Sequence, residues 1–164
     1  MRFAENVSDR IFFMNDGIIY EEGTPQEIFH SPKKDSTKIF INRLKTFEKT
    51  FDNAEFDFMS VQGEIETFAR KQFMSNRRNI TLQLIFEELI YELLINRRQN
   101  LFPIVMKMFY NEILDECEVK ITYCGEKYNP LEEIDDISVT ILKGIIQIAD
   151  YSFDGKNILN LKCK

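Results

Sequence analysis

The 164-residue sequence predicts an α/β (α+β) fold: a two-layer sandwich of a mixed or antiparallel sheet with helices on one face, plus a small N-terminal helix-hairpin-helix appendage. Three observations support this fold class. Apolar residues recur at helical spacing over 59–73 and 77–96, β-rich runs follow over 105–112 and 119–123, and Asp154-Gly155 marks a hairpin near the end.

The first 44 residues are predicted to form short elements that turn residues separate. A helix over 2–9 precedes two strands joined by Asn15-Asp16-Gly17, because Asp-Gly supplies the positive φ that a two-residue turn requires. Thr24-Pro25 then begins a second helix, with Thr24 as its cap and Glu27 completing a capping box. A third helix is predicted to end near Leu44.

Longer elements characterise the rest of the chain. We place a domain boundary near 44–47, so that residues 45–164 form the second domain. This domain is predicted to begin with a strand over 46–51. Its last helix is predicted over 140–148, ahead of the closing hairpin at Asp154-Gly155.

Composition and charge exclude several classes of partner. The net charge of −6 and the pI near 5.0 disfavour nucleic acid, because phosphate contacts need clustered Lys and Arg. The basic pairs Lys33-Lys34, Arg77-Arg78 and Arg97-Arg98 are interpreted as solvated helix ends. No apolar run is long enough to span a bilayer, so we expect no direct membrane insertion.

Cysteine and histidine usage argues against metal and nucleophile chemistry. The three cysteines, Cys117, Cys124 and Cys163, include no CxxC pair, so they predict neither a disulfide framework nor a zinc site. Reduced thiols in a cytoplasmic protein are expected. The single histidine, His30, is predicted to lie on the surface near a helix end. We therefore expect no catalytic residue and no metal ligand in this chain.

The N-terminal segment closely resembles the C-terminal part of ABC transporter ATP-binding proteins, and most of all those that import polar amino acids. The resemblance covers residues 1–44 and lies in these positions: Phe3-Ala4, Val7, Asp9-Arg10, Phe13-Met14, Gly17, Glu22-Gly23, Pro25, Ile28-Phe29, Pro32 and Thr37. In that family the segment directly follows the switch histidine. The resemblance thus implies that Met1 falls just after it, as in a fragment or a product of an internal start codon.

ATP hydrolysis by that family depends on parts that this sequence lacks. A GxxxxGK[ST] loop holds the phosphates through backbone N–H groups and a lysine, and none of the six glycines here builds such a loop. The acidic pair Glu21-Glu22 lies on the hairpin and is interpreted as a solvated strand end. We therefore expect ATP and Mg²⁺ only in a longer parent protein, and no cofactor in this chain.

Residues 46–164 resemble the histidine-kinase-like ATPase fold, in particular its anti-sigma-factor kinase branch. The helix residues 87–93 are similar to the family's Asn-bearing helix, 123–132 to its Asp-x-Gly segment, and 154–159 to its closing hairpin. The resemblance implies nucleotide-binding positions, in a degenerate form, at Glu88, Glu92, Tyr123, Gly125 and Asn129.

Two of the three implied nucleotide elements are altered. Tyr123 stands where working members of the family have the adenine-contacting Asp, and 136–144 replaces a glycine-rich phosphate segment with β-branched residues. Glu92 replaces the Mg²⁺-binding Asn, and a carboxylate can still bind Mg²⁺. Glu88 and Glu92 lie one helical turn apart, which fits either a carboxylate pair in a pocket or a polar helix flank near the surface.

Three hypotheses for function follow. In the first, the chain is the C-terminal region of an ATP-binding subunit of a polar amino-acid importer, carrying a non-catalytic regulatory or dimerisation domain. Its partners would be a permease and a second ATPase subunit, with a homodimer as a further assembly, at the inner face of the cell membrane. In the second, it is a free-standing histidine-kinase-like ATPase or anti-sigma-type serine kinase. In the third, it is a protein-interaction module without nucleotide.

An isolated hairpin with helices is a weak folding unit. We therefore expect residues 1–44 to expose apolar side chains, such as Ile11, Phe13 and Phe40, that pack on the second domain or on another copy of the chain.

Overall fold

The computed structural model describes residues 2–98, 100–133 and 136–164, and it divides into two compact units, residues 1–45 and 46–164. The predicted fold class is confirmed. Helices and antiparallel sheets are both present, and the sheet of the second unit carries helices on one face. No helix in the described ranges is long and apolar enough to cross a membrane.

The first unit consists of short elements around one hairpin. Asp16 and Gly17 both have positive φ, 50° and 79°, which is the conformation that the predicted two-residue turn requires. Met1, expected to follow the family's switch histidine, lies outside the described residues. The elements are α1 (Arg2–Val7), β1 (Ile11–Asn15), β2 (Ile18–Gly23), α2 (Pro25–His30) and α3 (Asp35–Asn42), with β1 and β2 antiparallel.

The capping box at α2 forms as predicted. The Glu27 backbone N–H donates to Thr24 Oγ1 at 3.3 Å, and the Thr24 backbone N–H donates to Glu27 Oε2 at 2.8 Å. Each side chain thus satisfies a backbone donor at the helix start that would otherwise lack a partner.

The first unit buries little of its apolar surface. Among the side chains described over 3–45, only Glu21, Ile28 and Thr37 are buried. The predicted exposure is wrong for Ile11 and Phe13, which are half-buried, because the Phe13 ring packs against the Phe40 ring with centroids 5.3 Å apart. The large exposed apolar side chains are Phe3, Val7, Phe12, Met14, Ile18, Ile19 and Phe40.

The second unit contains one five-stranded sheet with the strand order β3-β4-β5-β7-β6. The pairs β4–β5, β5–β7 and β7–β6 are antiparallel. The strands are β3 (Lys45–Phe51), β4 (Ile104–Asn111), β5 (Glu116–Tyr123), β6 (Ile146–Phe153) and β7 (Asn157–Cys163).

Alternate residues of the central strands enter the core. Met106, Ile121 and Leu159 join the same buried cluster as Leu89 and Leu93, which come from the helical layer. A fully buried aliphatic side chain contributes about 1.5–3 kcal/mol by leaving water. This shared core is what makes the second unit a two-layer sandwich.

The helical layer contains α4 (Phe58–Lys71), α5 (Asn76–Leu84) and α6 (Ile137–Ile145). The helix predicted over 77–96 begins as α5 and continues as a π-helix over Ile85–Asn96, here called the π segment. Its buried side chains pack against the sheet, and it contacts α6.

The helix predicted over 140–148 is wrong at both ends. Asp136 caps α6, because its Oδ1 accepts from the Val139 N–H at 3.2 Å, so the helix begins at Ile137. The chain leaves the helix at Ile146, where β6 pairs with β7. Strand pairing with a distant segment outweighs the local helical spacing there.

Candidate functional site

A buried asparagine organises the loop that follows β5. Asn157 is fully buried, and its Nδ2 donates to the main-chain oxygens of Cys124 at 3.2 Å and Glu126 at 3.0 Å. Its Oδ1 accepts from the Tyr128 N–H at 2.9 Å and from the Tyr151 hydroxyl at 2.6 Å. The side chain therefore ties the loop to the start of β7 with three hydrogen bonds, and a fourth joins it to Tyr151 of β6.

Tyr123 lies inside this arrangement rather than facing an open pocket. Its side chain is fully buried, and its hydroxyl donates to the main-chain oxygen of Tyr128 at 2.6 Å. Burial, with smaller contributions from Tyr151 and Tyr128, raises the pKa of Tyr123 well above its ordinary value. The group stays a neutral donor at all physiological pH values, its proton is bound by Tyr128, and its burial keeps a ligand from reaching its oxygen.

Gly125 and Asn129 also serve the loop. Gly125 has φ +91°, and a Cβ there would lie 3.0 Å from the main-chain oxygen of Asn100, so the close approach of the two loops requires glycine. Asn129 begins the 3₁₀ turn Pro130–Glu132, because its Oδ1 accepts from the Leu131 N–H at 3.2 Å. Its Nδ2 donates to Glu132 Oε1 at 3.0 Å.

The two predicted carboxylates lie on the π segment and are half-buried. Glu92 accepts from Asn96 Nδ2 at 3.3 Å, within the same segment. No group of three or more His, Cys, Asp or Glu side chains among the described residues is arranged to hold a metal ion. The π segment, which carries Glu92, contacts the 3₁₀ turn Pro130–Glu132 and therefore lies beside the loop that carries Asn129.

The segment 136–144, where the resemblance implies phosphate contacts, forms the start of α6. Asp136 Oδ2 pairs with Arg97 Nη2 at 2.5 Å while its Oδ1 caps the helix. Burial raises the pKa of Asp136, but the hydrogen bonds from Arg97 and the Val139 N–H outweigh it and hold this pKa below its usual value. A helix N-terminus attracts anions, and here the chain's own carboxylate occupies that position.

The residues present do not fit a nucleotide. An adenine amino group needs an accessible acceptor at the Tyr123 position, and the phosphates need free backbone donors near α6. The structure instead buries the Tyr123 side chain fully, and the Val139 N–H at the start of α6 donates to Asp136. Tyr151 and Asn157, for which the sequence predicts no role in a site, hold the loop, and Arg97, interpreted as part of a solvated helix end, pairs with Asp136. Asn157 follows the predicted Asp154-Gly155 turn, and no residue near it in the sequence indicates its distant partners.

Concave surfaces among the described residues include three that lie away from the five predicted positions. The largest of these three has a volume of about 610 Å³ and lies on α4 beside β3. A second, of about 410 Å³, lies where α4 meets α5. The third, of about 400 Å³, belongs to the hairpin of the first unit and includes Tyr20, Glu21 and Lys34.

The interpretation of Glu21 as a solvated strand end is wrong. Glu21 is buried, and its two carboxylate oxygens accept from the backbone N–H groups of Lys33 at 2.7 Å and Lys34 at 3.1 Å. Lys34 caps α3 without a side-chain hydrogen bond of its own, so Glu21 supplies the missing acceptor from another element. The Lys34 Nζ also donates to the main-chain oxygen of Tyr20, so a further hydrogen bond joins the start of α3 to β2.

Burial raises the pKa of Glu21, but its hydrogen bonds lower it by more, so the carboxyl titrates below its usual range. The buried Thr37 hydroxyl also lowers this pKa, although its geometry falls short of a hydrogen bond. His30 ends α2 and is exposed as predicted, with its Nε2 2.6 Å from Glu5 Oε1. This arrangement stabilises the first unit.

The chain is similar to known proteins over 44 residues, which are 27% of its length. Over this stretch it is 50% identical to the L-cystine import ATP-binding protein TcyN of Bacillus subtilis and 48% identical to the glutamine transport ATP-binding protein GlnQ of Geobacillus stearothermophilus. It is 49% identical there to the probable amino-acid ABC transporter ATP-binding protein y4tH of Sinorhizobium fredii. No protein-family model matches the chain.

The chain spans about a sixth of the length of these curated relatives. The resemblance to amino-acid ABC transporter ATP-binding proteins over a quarter of the chain is confirmed. The resemblance of residues 46–164 to histidine-kinase-like ATPases stays a prediction, as do the roles of Glu88, Glu92, Tyr123, Gly125 and Asn129.

Proposed function

We propose that this chain is the C-terminal region of an ATP-binding subunit of a polar amino-acid importer, in which residues 46–164 form a non-catalytic regulatory or dimerisation domain. The observation that carries the proposal is the identity of about half the residues over a 44-residue stretch to import ATP-binding proteins. A permease and a second ATPase subunit would be its partners, which would hold it at the cytoplasmic face of the membrane.

The non-catalytic role of the second unit rests on how its loop uses polar groups. Tyr123 is fully buried, and the polar groups of Asn129 and Asp136 bind within the chain. A hydrogen bond of this kind contributes about 0.5–1.5 kcal/mol. A nucleotide would need to replace these contacts before it could bind.

The coding sequence upstream of the Met1 codon tests the transporter assignment. We expect an open frame that encodes a GxxxxGK[ST] loop and a switch histidine. A stop codon in that frame shortly upstream of Met1 would contradict the proposal.

Calorimetry with Mg-ATP tests the second unit. We expect no heat of binding and no thermal shift for this chain, because the nucleotide contacts are used internally. The chain with Asp136→Ala, which frees the start of α6, is the matched comparison. Saturable binding by the unaltered chain would support the free-standing ATPase or kinase instead.

Sedimentation of the full chain tests the dimerisation role. A concentration-dependent dimer is expected if the domain joins two subunits. A monomer over the whole concentration range would contradict the dimerisation role. The regulatory role would then require a different partner.

A further inference from the structure

Two cysteines face each other at one end of the sheet. The β5–β7 register pairs Glu118 with Lys162 and Val119 with Leu161, and its continuation places Cys117 opposite Cys163. Both cysteines lie within their strands, both are free thiols, and both are buried in the same core cluster.

The backbone geometry at this position suits a disulfide. Opposite residues of antiparallel strands have Cα atoms about 4.5–5.5 Å apart, and disulfides accept Cα separations of about 4.4–6.8 Å. Cys117 and Cys163 also point to the same face of the sheet, since both enter the core. Cys124 lies just beyond the opposite end of β5, so it does not share this geometry.

The surroundings keep the two thiols protonated. Burial raises the pKa of Cys117 to about 11 and that of Cys163 to about 12, and Cys117 itself adds to the rise at Cys163. Arg78 lowers both pKa values, but by less than burial raises them. Thiolates are the reacting species, so the closed structure protects the pair.

Arg78 joins the chain segments that adjoin β5 and β7 beside these thiols. Its guanidinium donates to the main-chain oxygens of Lys164, directly after β7, and of Asp115, in the β4–β5 turn. Its side chain is only 14% exposed, and its Nε lies 3.5 Å from Asp115 Oδ2. The interpretation of Arg77-Arg78 as a solvated helix end is therefore wrong for Arg78, and this residue is a latch between α5, the turn and β7.

We propose that Cys117 and Cys163 form a reversible intramolecular disulfide when a low-molecular-weight disulfide oxidant such as oxidised glutathione is present, and that the Arg78 latch limits its rate. One cysteine thiolate attacks the oxidant, forms a mixed disulfide and expels one glutathione thiolate. The other cysteine thiolate then attacks the protein sulfur and expels the second glutathione thiolate. Two cysteine protons are released, and two electrons pass to the oxidant.

Peptide mapping after treatment of the folded full chain with oxidised glutathione tests the pair. We expect a peptide cross-linked through Cys117 and Cys163, an alkylatable Cys124, and reversal by dithiothreitol. The cross-link should persist in Cys124→Ser and disappear in Cys163→Ser, with circular dichroism confirming that each variant is folded. Glutathione adducts without the cross-link, a cross-link to Cys124, or three thiols that remain alkylatable would each overturn the proposal.

The rate of cross-linking tests the latch separately. Arg78→Ala removes a charge-assisted contact that holds the strand end closed, and it also removes a charge that lowers both thiol pKa values. We expect the first effect to dominate and to accelerate the reaction roughly tenfold. Arg77→Ala is the matched control, since Arg77 is its exposed neighbour, and should leave the rate unchanged. A rate that falls or stays the same in Arg78→Ala would show that opening of this end does not limit oxidation.

Discussion

The two units of the chain reach order by different means. Residues 46–164 share one large apolar core between a sheet and a helical layer, whereas the described side chains over 3–45 bury only Glu21, Ile28 and Thr37. The first unit depends on a capping box, a buried carboxylate and ring contacts around Phe13. Apolar burial thus accounts for the stability of the second unit, and polar contacts together with ring packing account for much of the first.

A core truncation should produce the largest effect. Leu89→Ala removes a fully buried side chain from the π segment, so we expect a loss of about 2–5 kcal/mol in the free energy of unfolding of the second unit. Urea denaturation followed by circular dichroism measures it. Phe12→Ala, at an apolar side chain of the first unit that is 50% exposed, should change stability by about 0.5 kcal/mol or less. Equal losses of stability in Leu89→Ala and Phe12→Ala would contradict this difference between the two units.

The polar network of the second unit should come next. Asn157→Ala leaves several partly buried groups without their partner, and we expect it to lower the free energy of unfolding by about 1–3 kcal/mol. Hydrogen exchange at the Tyr128 amide should accelerate in parallel. The exposed Asn160→Ala is the control, and a loss as large there would argue against a role for the network.

Glu21 should make the first unit sensitive to acid. Its pKa in the folded state is lowered, so its stabilising effect is full above the unfolded value near 4.5 and is lost as the pH falls through the lower folded value. Glu21→Gln should cost about 1–3 kcal/mol at pH 7 and weaken this acid dependence. Thermal melts of the first unit between pH 3 and pH 7 measure both effects.

The neighbouring Glu22→Gln provides the control, because the Glu22 side chain is exposed and pairs with Arg10 at the surface. The same acid dependence in the Glu21→Gln and unaltered chains would assign it to other groups.

The helix cap should produce the smallest of these effects. Thr24→Ala removes the capping box of α2 and is expected to cost about 1 kcal/mol. Ser75→Ala removes the equivalent cap of α5, where Ser75 Oγ accepts from the Arg78 N–H at 3.3 Å. We expect similar losses in denaturation measurements on both units, since a cap acts locally. A much larger loss at Thr24 would mean that the first unit depends on this cap for its folding.

One structural feature that the sequence analysis missed has a signal in the sequence. Apolar or buried pairs recur every four residues at 81–82, 85–86, 89–90 and 93–94. An α-helix turns about 40° too far over four residues, so such pairs drift around its surface. In the structure the pairs from 85 onward lie in the π segment and are buried, whereas the pair at 81–82 still belongs to α5.

The sequence by itself determined the features that depend on near neighbours. The Asp16-Gly17 turn and the Thr24 capping box follow from residue types a few positions apart, and the missing phosphate loop can be recognised without any structure. These features need no knowledge of distant partners.

Only the tertiary structure decided where distant segments meet. The burial of Glu21 depends on amide groups 12 and 13 residues away, and the role of Asn157 depends on carbonyls more than 30 residues away. Likewise, β6 forms from residues with helical spacing because β7 offers it hydrogen-bond partners. Local propensities contribute tenths of a kcal/mol per residue, and burial or pairing with a remote partner contributes more.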